Sequence, residues 1–378
     1  MNDIYLSKYL RKKSLDTFGK PHKDLGNRKF DFFIVIPCYN EFDYLFDTLD
    51  SIDSQDQDLL SQSLVVIVIN NSQEEAKSVI DNNQKTYDAL ISKNYKFTFI
   101  AIDSFTKDYA IPEKLAGVGY ARKIGLDFSL NYIKDDKSVL CCLDADTLID
   151  LDYLKIINQN FENGIDAGVI NFKHQRSESA IIEEGIRKYE LAIKTIAEKI
   201  DQTGSPYGYV SMGSTIACNA KSYVACGGMN TKKATEDFYF LQSLAKYTKI
   251  HKIKEQLVFP SSRNENRVYL GTGFRISEYV ENNAFKNLEF SDQSYLEISK
   301  IIQIIDDGWH KHNEFIMLEL NKVLDEKSLK FLINKDLEHI LNQFRQNAKN
   351  KNQFILFFNQ WFDALAVVQL LKTLNFKS

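Results

Sequence analysis

The chain has 378 residues, of which 44% are hydrophobic and 26% charged, and a net charge of -4. That is enough for one large α/β core plus an appendage, since single cores stop growing near about 250 to 300 residues, and it excludes a disordered chain. With no long basic block, the balance also argues against a protein that grips nucleic acid through many phosphates.

Residues 1–29 read as an N-terminal extension, in which Arg11, Lys13, Lys20 and Arg28 occur without the apolar stretch of a signal peptide. Nowhere do about eighteen apolar residues run together, so no transmembrane segment is expected and the cytoplasm is the default compartment. Short apolar runs at 32–39, 64–69, 97–102, 139–143 and 167–172 then alternate with longer amphipathic stretches, the mark of βαβ units around a mostly parallel sheet flanked by helices. Between the first two runs Phe42, Leu45, Phe46, Leu49 and Ile52 recur at helical spacing. Helices are also expected over 123–133, over 153–161 behind the acids Asp150 and Asp152, and over 177–200. From 204 to 228 glycines and a proline break the pattern, which reads as loop.

After about residue 275 glycine and proline almost vanish, and the pattern is helical over 298–305, 315–324, 329–344 and 354–374. The division expected is thus a sheet domain over 30–275 and a helical region over 276–378. The apolar stripes of that region read as core first, with a homodimer surface and peripheral membrane docking as further uses. Trp309 and Trp361 read as core anchors, and His310 and His312 lack the acid cluster of a metal site. Cys38, Cys141, Cys142, Cys218 and Cys226 have no zinc-ligand spacing and read as small buried hydrophobes.

Several strand ends carry polar groups suited to chemistry. Asp144-Ala145-Asp146 follows the run 139–143, and carboxylates two apart at a strand end can turn into the crevice where open α/β sheets bind ligands. Such a pair offers a hard cation oxygen ligands while leaving positions for diphosphate and water. The segment Pro37-Cys38-Tyr39-Asn40-Glu41 ends the first strand, either capping the next helix through Asn40 or binding a base or ribose. Asn70-Asn71-Ser72 puts more polar groups on the same edge. Gly117-Val118-Gly119, followed by Arg122 and Lys123, combines close backbone approach with cations at a helix start, as a pyrophosphate requires, or is a plain turn into a helix. Finally, Gly227-Gly228-Met229-Asn230 precedes Glu236-Asp237, acids that either favour a helix dipole behind a Thr235 cap or bring a general base to an acceptor.

In this order and at these intervals the motifs resemble the family 2 glycosyltransferases with the GT-A fold, over residues 30–275. The resemblance is to a bacterial subgroup with a Gly-Val-Gly-x-Ala-Arg-Lys segment, a Gly-Gly-Met-Asn turn before Glu-Asp-Phe-Tyr-Phe, and an Arg-x-x-x-Arg-Val-x-x-Gly-Thr-Gly segment, here Arg263 to Gly273. It implies a nucleotide-diphosphate sugar donor, a hydroxyl acceptor and a divalent cation, Mn2+ or Mg2+. Pro37, Tyr39, Glu41 and Asn71 would line the nucleotide side, Asp146 with Asp144 would hold the metal, and Asp237 would be the base with Glu236 supporting it. Arg122 and Lys123 would lie near the diphosphate, and Gly213, Ser214 and Gly228 would shape the acceptor side. Arg263 and Arg267 with the amides of Gly271 and Thr272 would form a second anion site.

The sequence departs from the family where Asn70-Asn71 replaces an Asp pair and where the Gln-x-x-Arg-Trp motif of processive members is missing. A single, inverting transfer in bacterial glycan or glycoconjugate synthesis is the expected function. The alternatives are a nucleotidyltransferase, disfavoured because Pro37 to Glu41 is acidic and glycine-free, and a non-catalytic nucleotide-sugar binding protein.

Overall fold

The computed structural model describes residues 3–15, 19–264, 271–285 and 288–375. The chain folds into two compact units, one formed by 1–186 and 211–281, the other by 187–210 and 282–378.

The first unit is built on a nine-stranded mixed sheet. Its strands are β1 (Lys20–Pro21), β2 (Phe32–Cys38), β3 (Ser63–Asn70), β4 (Thr98–Ser104), β5 (Val139–Cys142), β6 (Leu148–Ile149), β7 (Ala167–Phe172), β8 (Ile216–Asn219) and β9 (Ile250–Phe259), in the spatial order β1-β4-β3-β2-β5-β8-β7-β9-β6. β4, β3, β2 and β5 are parallel, whereas β8 runs antiparallel to both of its neighbours. The continuous apolar runs in β2 and β3 follow from this placement: every residue of β3 is buried, as in a strand covered on both faces.

The helices of this unit are α1 (Asp3–Lys12), α2 (Phe42–Asp53), α3 (Gln57–Ser61), α4 (Lys77–Ser92), α5 (Val118–Ser129), α6 (Tyr153–Glu162), the start of α7 (Ala180–Gln202), α8 (Ala220–Ala225), α9 (Glu236–Tyr247) and α10 (Thr272–Asn282). The α/β architecture expected from the alternating runs is present, with two local differences. α5 starts five residues before the expected 123, so Gly119 and Gly125 lie inside the helix and Gly117 is its N-cap. A Cβ at Gly125 would meet the side chains of Val35 and Val68, and a Cβ at Gly119 would meet Glu236 Cβ at 2.8 Å. These glycines let α5 lie flat on the sheet and close against the segment leading to α9. The stretch read as loop from 204 to 228 contains β8, a central strand of four residues too short to show a period.

The topology prepares a crevice. From β2 the chain winds outward through β3 and β4, then crosses to β5 on the other side of β2, so the strand order reverses between β2 and β5. Pairing of these two strands stops at Val35 and Cys142, and Leu143 N–H donates to Val35 O at 3.0 Å. Pro37 comes after this point, where β2 has lost its β5 neighbour and a proline interrupts no ladder on that side.

The second unit comprises the end of α7 with α11 (Asp292–Gly308), α12 (Asn313–Val323), α13 (Glu326–Asn334), α14 (Leu337–Asn347), α15 (Lys351–Trp361) and α16 (Ala364–Asn375). Ile298, Ile301, Ile305, Leu332, Leu341, Phe358 and Leu370 form its core, with Trp309 and Trp361 packed against it. The expected helix over 329–344 is two helices, broken where Asp336 takes a left-handed conformation (φ 60°). That over 354–374 is also two, broken after Trp361. Among the described residues no single helix is long and apolar enough to cross a membrane; α15 and α16 together have the length and composition but are bent by 60°. Cys38, Cys141, Cys142 and Cys218 are buried and Cys226 nearly so, all as free thiols.

Candidate functional site

The carboxyl ends of β2 and β5 place the first two acidic segments. After β2, Asn40 adopts a left-handed conformation (φ 58°), which asparagine tolerates, and its N–H donates to Asn83 Oδ1 at 3.0 Å. Glu41, not Asn40, therefore occupies the N-cap position of α2, and its side chain makes no capping bond. It accepts instead from Arg263 Nη2 at 3.0 Å. Pro37 and Tyr39 are half-buried beside it.

After β5 the chain leaves the pleat in a turn closed by Thr147 N–H donating to Asp144 O at 3.2 Å. The turn is braced on both sides. Thr48 Oγ1 donates to Ala145 O at 2.9 Å, and Gln175 Nε2 donates to Asp146 O at 2.9 Å and to Phe259 O at 2.8 Å. Asp146 accepts from Arg263 through both Nε and Nη2, and the guanidinium lies 4.0 Å from the centre of the Tyr44 ring. Burial would weaken the charge on Arg263, but Asp146 and Glu41 hold its pKa above the usual range. Asp144 turns the other way and accepts from Arg122 Nη2.

Arg122 joins the third acidic segment. Its guanidinium is buried, donating through Nη1 to Glu236 and through Nη2 to Asp144, and it rests on Gly213, where any Cβ would overlap it. Despite burial, Asp144 and Glu236 keep Arg122 charged. Burial raises the Glu236 carboxyl to about 7 against the opposing pull of Arg122. Asp237 is raised by the same cause, with Arg122 again opposing, and its Oδ1 accepts from Phe238 N–H at 2.7 Å. Thr235 precedes them at φ 63° and makes no side-chain capping bond, so the N-terminus of α9 is not closed in the way a threonine cap would close it.

Other residues singled out in the sequence lie differently. Lys123 is buried and ion-paired to Asp127 at 2.8 Å, and it donates to the Tyr9 hydroxyl at 3.0 Å, so its charge is spent on α1 packing. Asn71 is buried, with its amide donating to Ser72 O and Phe105 O and its carbonyl accepting from Asn83, which makes it a brace for the β3 end. Asn70 Oδ1, on the same edge, is buried with no hydrogen-bond partner among the described residues. Ser214 Oγ, next to the Arg122 platform, is likewise without one. Gly228 (φ 78°) ends the turn after α8, and its Cα faces the Tyr9 hydroxyl. Gly271 precedes α10 and Thr272 opens it, and Arg263 is ion-paired to Glu41 and Asp146. Arg267 is outside the described residues.

Tyr44, Thr48 and Gln175 are the site residues that sequence reasoning missed. Tyr44 follows Glu41 at the i+3 spacing that puts two side chains on one helix face, a usable signal. Gln175 had none, because a lone glutamine after a strand marks nothing.

Whether the residues suit a divalent cation can be judged from the donor set. No hydrogen bond from the described residues reaches Asp144 Oδ2 or Asp146 Oδ1, and the two side chains are 34% and 19% exposed. Among the described residues no group of three His, Cys, Asp or Glu side chains gathers around one point. The pair therefore suits an ion that takes one or two carboxylates and completes its shell with phosphate and water, as Mg2+ does.

No family model matches the chain, and no curated protein matches it in sequence. Among solved structures it is similar to S. aureus TarS 1-349 in complex with UDP-GlcNAc, at 13% identity and a TM-score of 0.42, over 88% of this chain and 91% of that one. It is also similar to the mannosyltransferase PcManGT from Pyrobaculum calidifontis in complex with GDP-Man and Mn2+, at 12% identity and a TM-score of 0.42, over 94% and 92% of the two chains. Likenesses of this degree assign no chemistry to the chain.

Proposed function

We propose that the chain is a family 2-like glycosyltransferase of the GT-A type. It would move a sugar from a nucleotide-diphosphate sugar to an acceptor hydroxyl, in one non-processive, inverting transfer within bacterial glycan or glycoconjugate synthesis. One observation carries the reading. Acids from three separate segments are joined in two arginine-centred clusters at the switch point between β2 and β5: Arg263 bonds Glu41 and Asp146, and Arg122 bonds Asp144 and Glu236, the chain neighbour of Asp237.

In this reading Pro37, Tyr39 and Glu41 take the nucleoside side. Asp144 and Asp146 would hold Mn2+ or Mg2+, which when bound neutralises charge on the departing diphosphate. The acceptor oxygen bonds to the anomeric carbon while the bond from that carbon to the diphosphate oxygen breaks, its electron pair leaving with the nucleoside diphosphate. The Asp237 carboxylate takes the acceptor proton, and its raised pKa moves it toward the range where a base works near neutral pH. Arg122 fixes Glu236 beside it, and Gly213, Ser214 and Gly228 lie on the acceptor side.

The test is release of nucleoside diphosphate from a panel of sugar nucleotides that includes UDP-GlcNAc and GDP-Man, with Mn2+ and with chelator. Turnover that needs both the cation and an acceptor supports the reading. Binding of a sugar nucleotide without turnover under any condition would leave a non-catalytic binding protein in its place.

A further inference from the structure

Arg263 stands where the proposed donor site needs negative charge. Its position is set by the backbone, not by the reach of a long side chain. β6, just after Asp146, pairs with the end of β9, just before Arg263, through Leu148 with Phe259 and Ile149 with Val258. Gln175 then ties the two segments together by donating to the carbonyls of both Asp146 and Phe259. On this frame the guanidinium bonds Asp146 Oδ2 through two nitrogens, reaches Glu41 Oε1 at 3.0 Å and stacks on Tyr44, leaving its side chain only 14% exposed. A planar fork with two carboxylates and an aromatic face is a built site for arginine.

A divalent cation at Asp146 would meet this guanidinium on the same carboxylate. Asp146 Oδ1 is left for the ion, but the two cations then repel across one carboxylate, and the charge that each draws from it is lost to the other. We propose that Arg263 is the resident counter-cation of the donor site: it competes with the divalent ion for Asp146 and, once displaced, becomes available to the diphosphate. The proposal rests on the donor-site reading given above. It makes Arg263 a positioning residue whose loss has opposite effects on two ligands. The metal alone binds more tightly without it, because a site open for only a fraction of the time binds more weakly by that fraction. The nucleoside diphosphate binds more weakly without it, because a fork for phosphate oxygens is gone.

The experiment uses the full chain and two probes. Mn2+ alone is titrated by electron paramagnetic resonance in the wild type, Arg263→Gln, Arg263→Lys and Asp146→Asn. UDP and GDP are then titrated by calorimetry at saturating Mn2+. Arg263→Gln is expected to bind Mn2+ about threefold to tenfold more tightly than the wild type. The gain should persist at about 0.5 M salt, where charges more than roughly 4 Å apart are screened. Arg263→Lys, which keeps a cation over Tyr44 without the fork, should fall between the two and serves if the glutamine variant does not fold. Diphosphate affinity in Arg263→Gln should drop about tenfold, the loss of one charge-assisted contact. Mn2+ affinity in Arg263→Gln equal to or weaker than wild type overturns the competition, and unchanged diphosphate affinity overturns the hand-over. The Asp146→Asn arm separates this from the underlying reading: if it binds Mn2+ like the wild type, the metal assignment itself fails, whereas loss there without gain in Arg263→Gln sinks the competition alone.

Discussion

Asp144 and Glu236 share a single guanidinium, with Arg122 donating to the first through Nη2 and to the second through Nη1. The end of β5 and the start of α9 are thereby one electrostatic unit, and a charge change at either is felt at the other. Arg122 and Glu236 are both nearly sequestered from solvent, so the pair is of the kind whose disruption is expensive.

Removing the arginine should show this in stability. Arg122→Met leaves the buried Glu236 without its counter-charge, with the partly exposed Asp144 nearby, and the expected loss is about 3 to 5 kcal/mol, the cost of breaking a buried ion pair from one side. Urea unfolding followed by circular dichroism measures it. A loss below about 1 kcal/mol, the range of exposed pairs, would mean that the guanidinium is far better solvated than its burial indicates.

The platform under Arg122 offers a gentler probe. Any side chain at Gly213 overlaps the guanidinium, so Gly213→Ala forces a shift there that is expected to weaken the bonds of Arg122 to Asp144 and Glu236. Transfer activity should fall at least about tenfold, the scale of a misplaced catalytic group. Serine in place of glycine should do the same, and normal activity in both variants would separate Arg122 from the chemistry.

Glu236 gives the molecule a pH signature. Its folded-state pKa is raised to about 7 from an ordinary 4.5, with burial as the main cause. The folded chain therefore keeps this proton where the unfolded chain has released it. The stability contributed is full below the unfolded value and declines as pH rises toward 7. Asp237 is raised by burial and adds a change of the same sign. Unfolding free energy measured between pH 5 and pH 8 should fall more steeply in the wild type than in Glu236→Gln. Identical slopes would show that Glu236 is ionised and fully paired throughout.

Two further substitutions separate binding from chemistry. Asp146→Ala should lose cation-dependent donor binding and with it nearly all transfer. Asp237→Asn should keep donor affinity within about threefold and lose about 100-fold to 10,000-fold in kcat, as removal of a general base does. Equal loss of donor affinity in both would contradict the division of roles.

The turn before α9 carries its own test. Gly228 has φ 78°, and a Cβ there would run into the Tyr9 hydroxyl. That hydroxyl donates to Asp127 Oδ1 at 2.7 Å, as does Tyr223, so it cannot simply swing away. Gly228→Ala is expected to destabilise by more than about 1 kcal/mol. Pairing it with Tyr9→Phe should recover part of the loss, which thermal unfolding of the single and double variants will reveal.

Much of the sheet was readable because its strands are buried on both faces and so appear as unbroken apolar runs; β2, β3, β4, β5 and β7 lie within a residue or two of those runs. β8 escaped because four residues inside a glycine-rich stretch show no period, although it is central to the sheet. The breaks at Asp336 and after Trp361 escaped because the apolar spacing continues across them. At the site, the acidic segments stood out as polar groups at strand and helix ends. Their counter-charges did not, since Arg122 sat in a motif that suggested phosphate and Arg263 in one that suggested an anion. Gly119 and Gly125 show the same ambiguity: glycine serves close approach to a phosphate and close approach to a strand alike, and only packing distinguishes the two.

The most direct measurement of the central claim is a crystal structure of the full chain with Mn2+ and a nucleoside diphosphate, read by anomalous scattering at the manganese edge. The account predicts one anomalous peak within coordination distance of Asp146 and Asp144, in contact with the diphosphate, and Arg263 no longer on Asp146 Oδ2. A diphosphate bound away from the β2 and β5 strand ends, or a manganese peak remote from both aspartates, would contradict it.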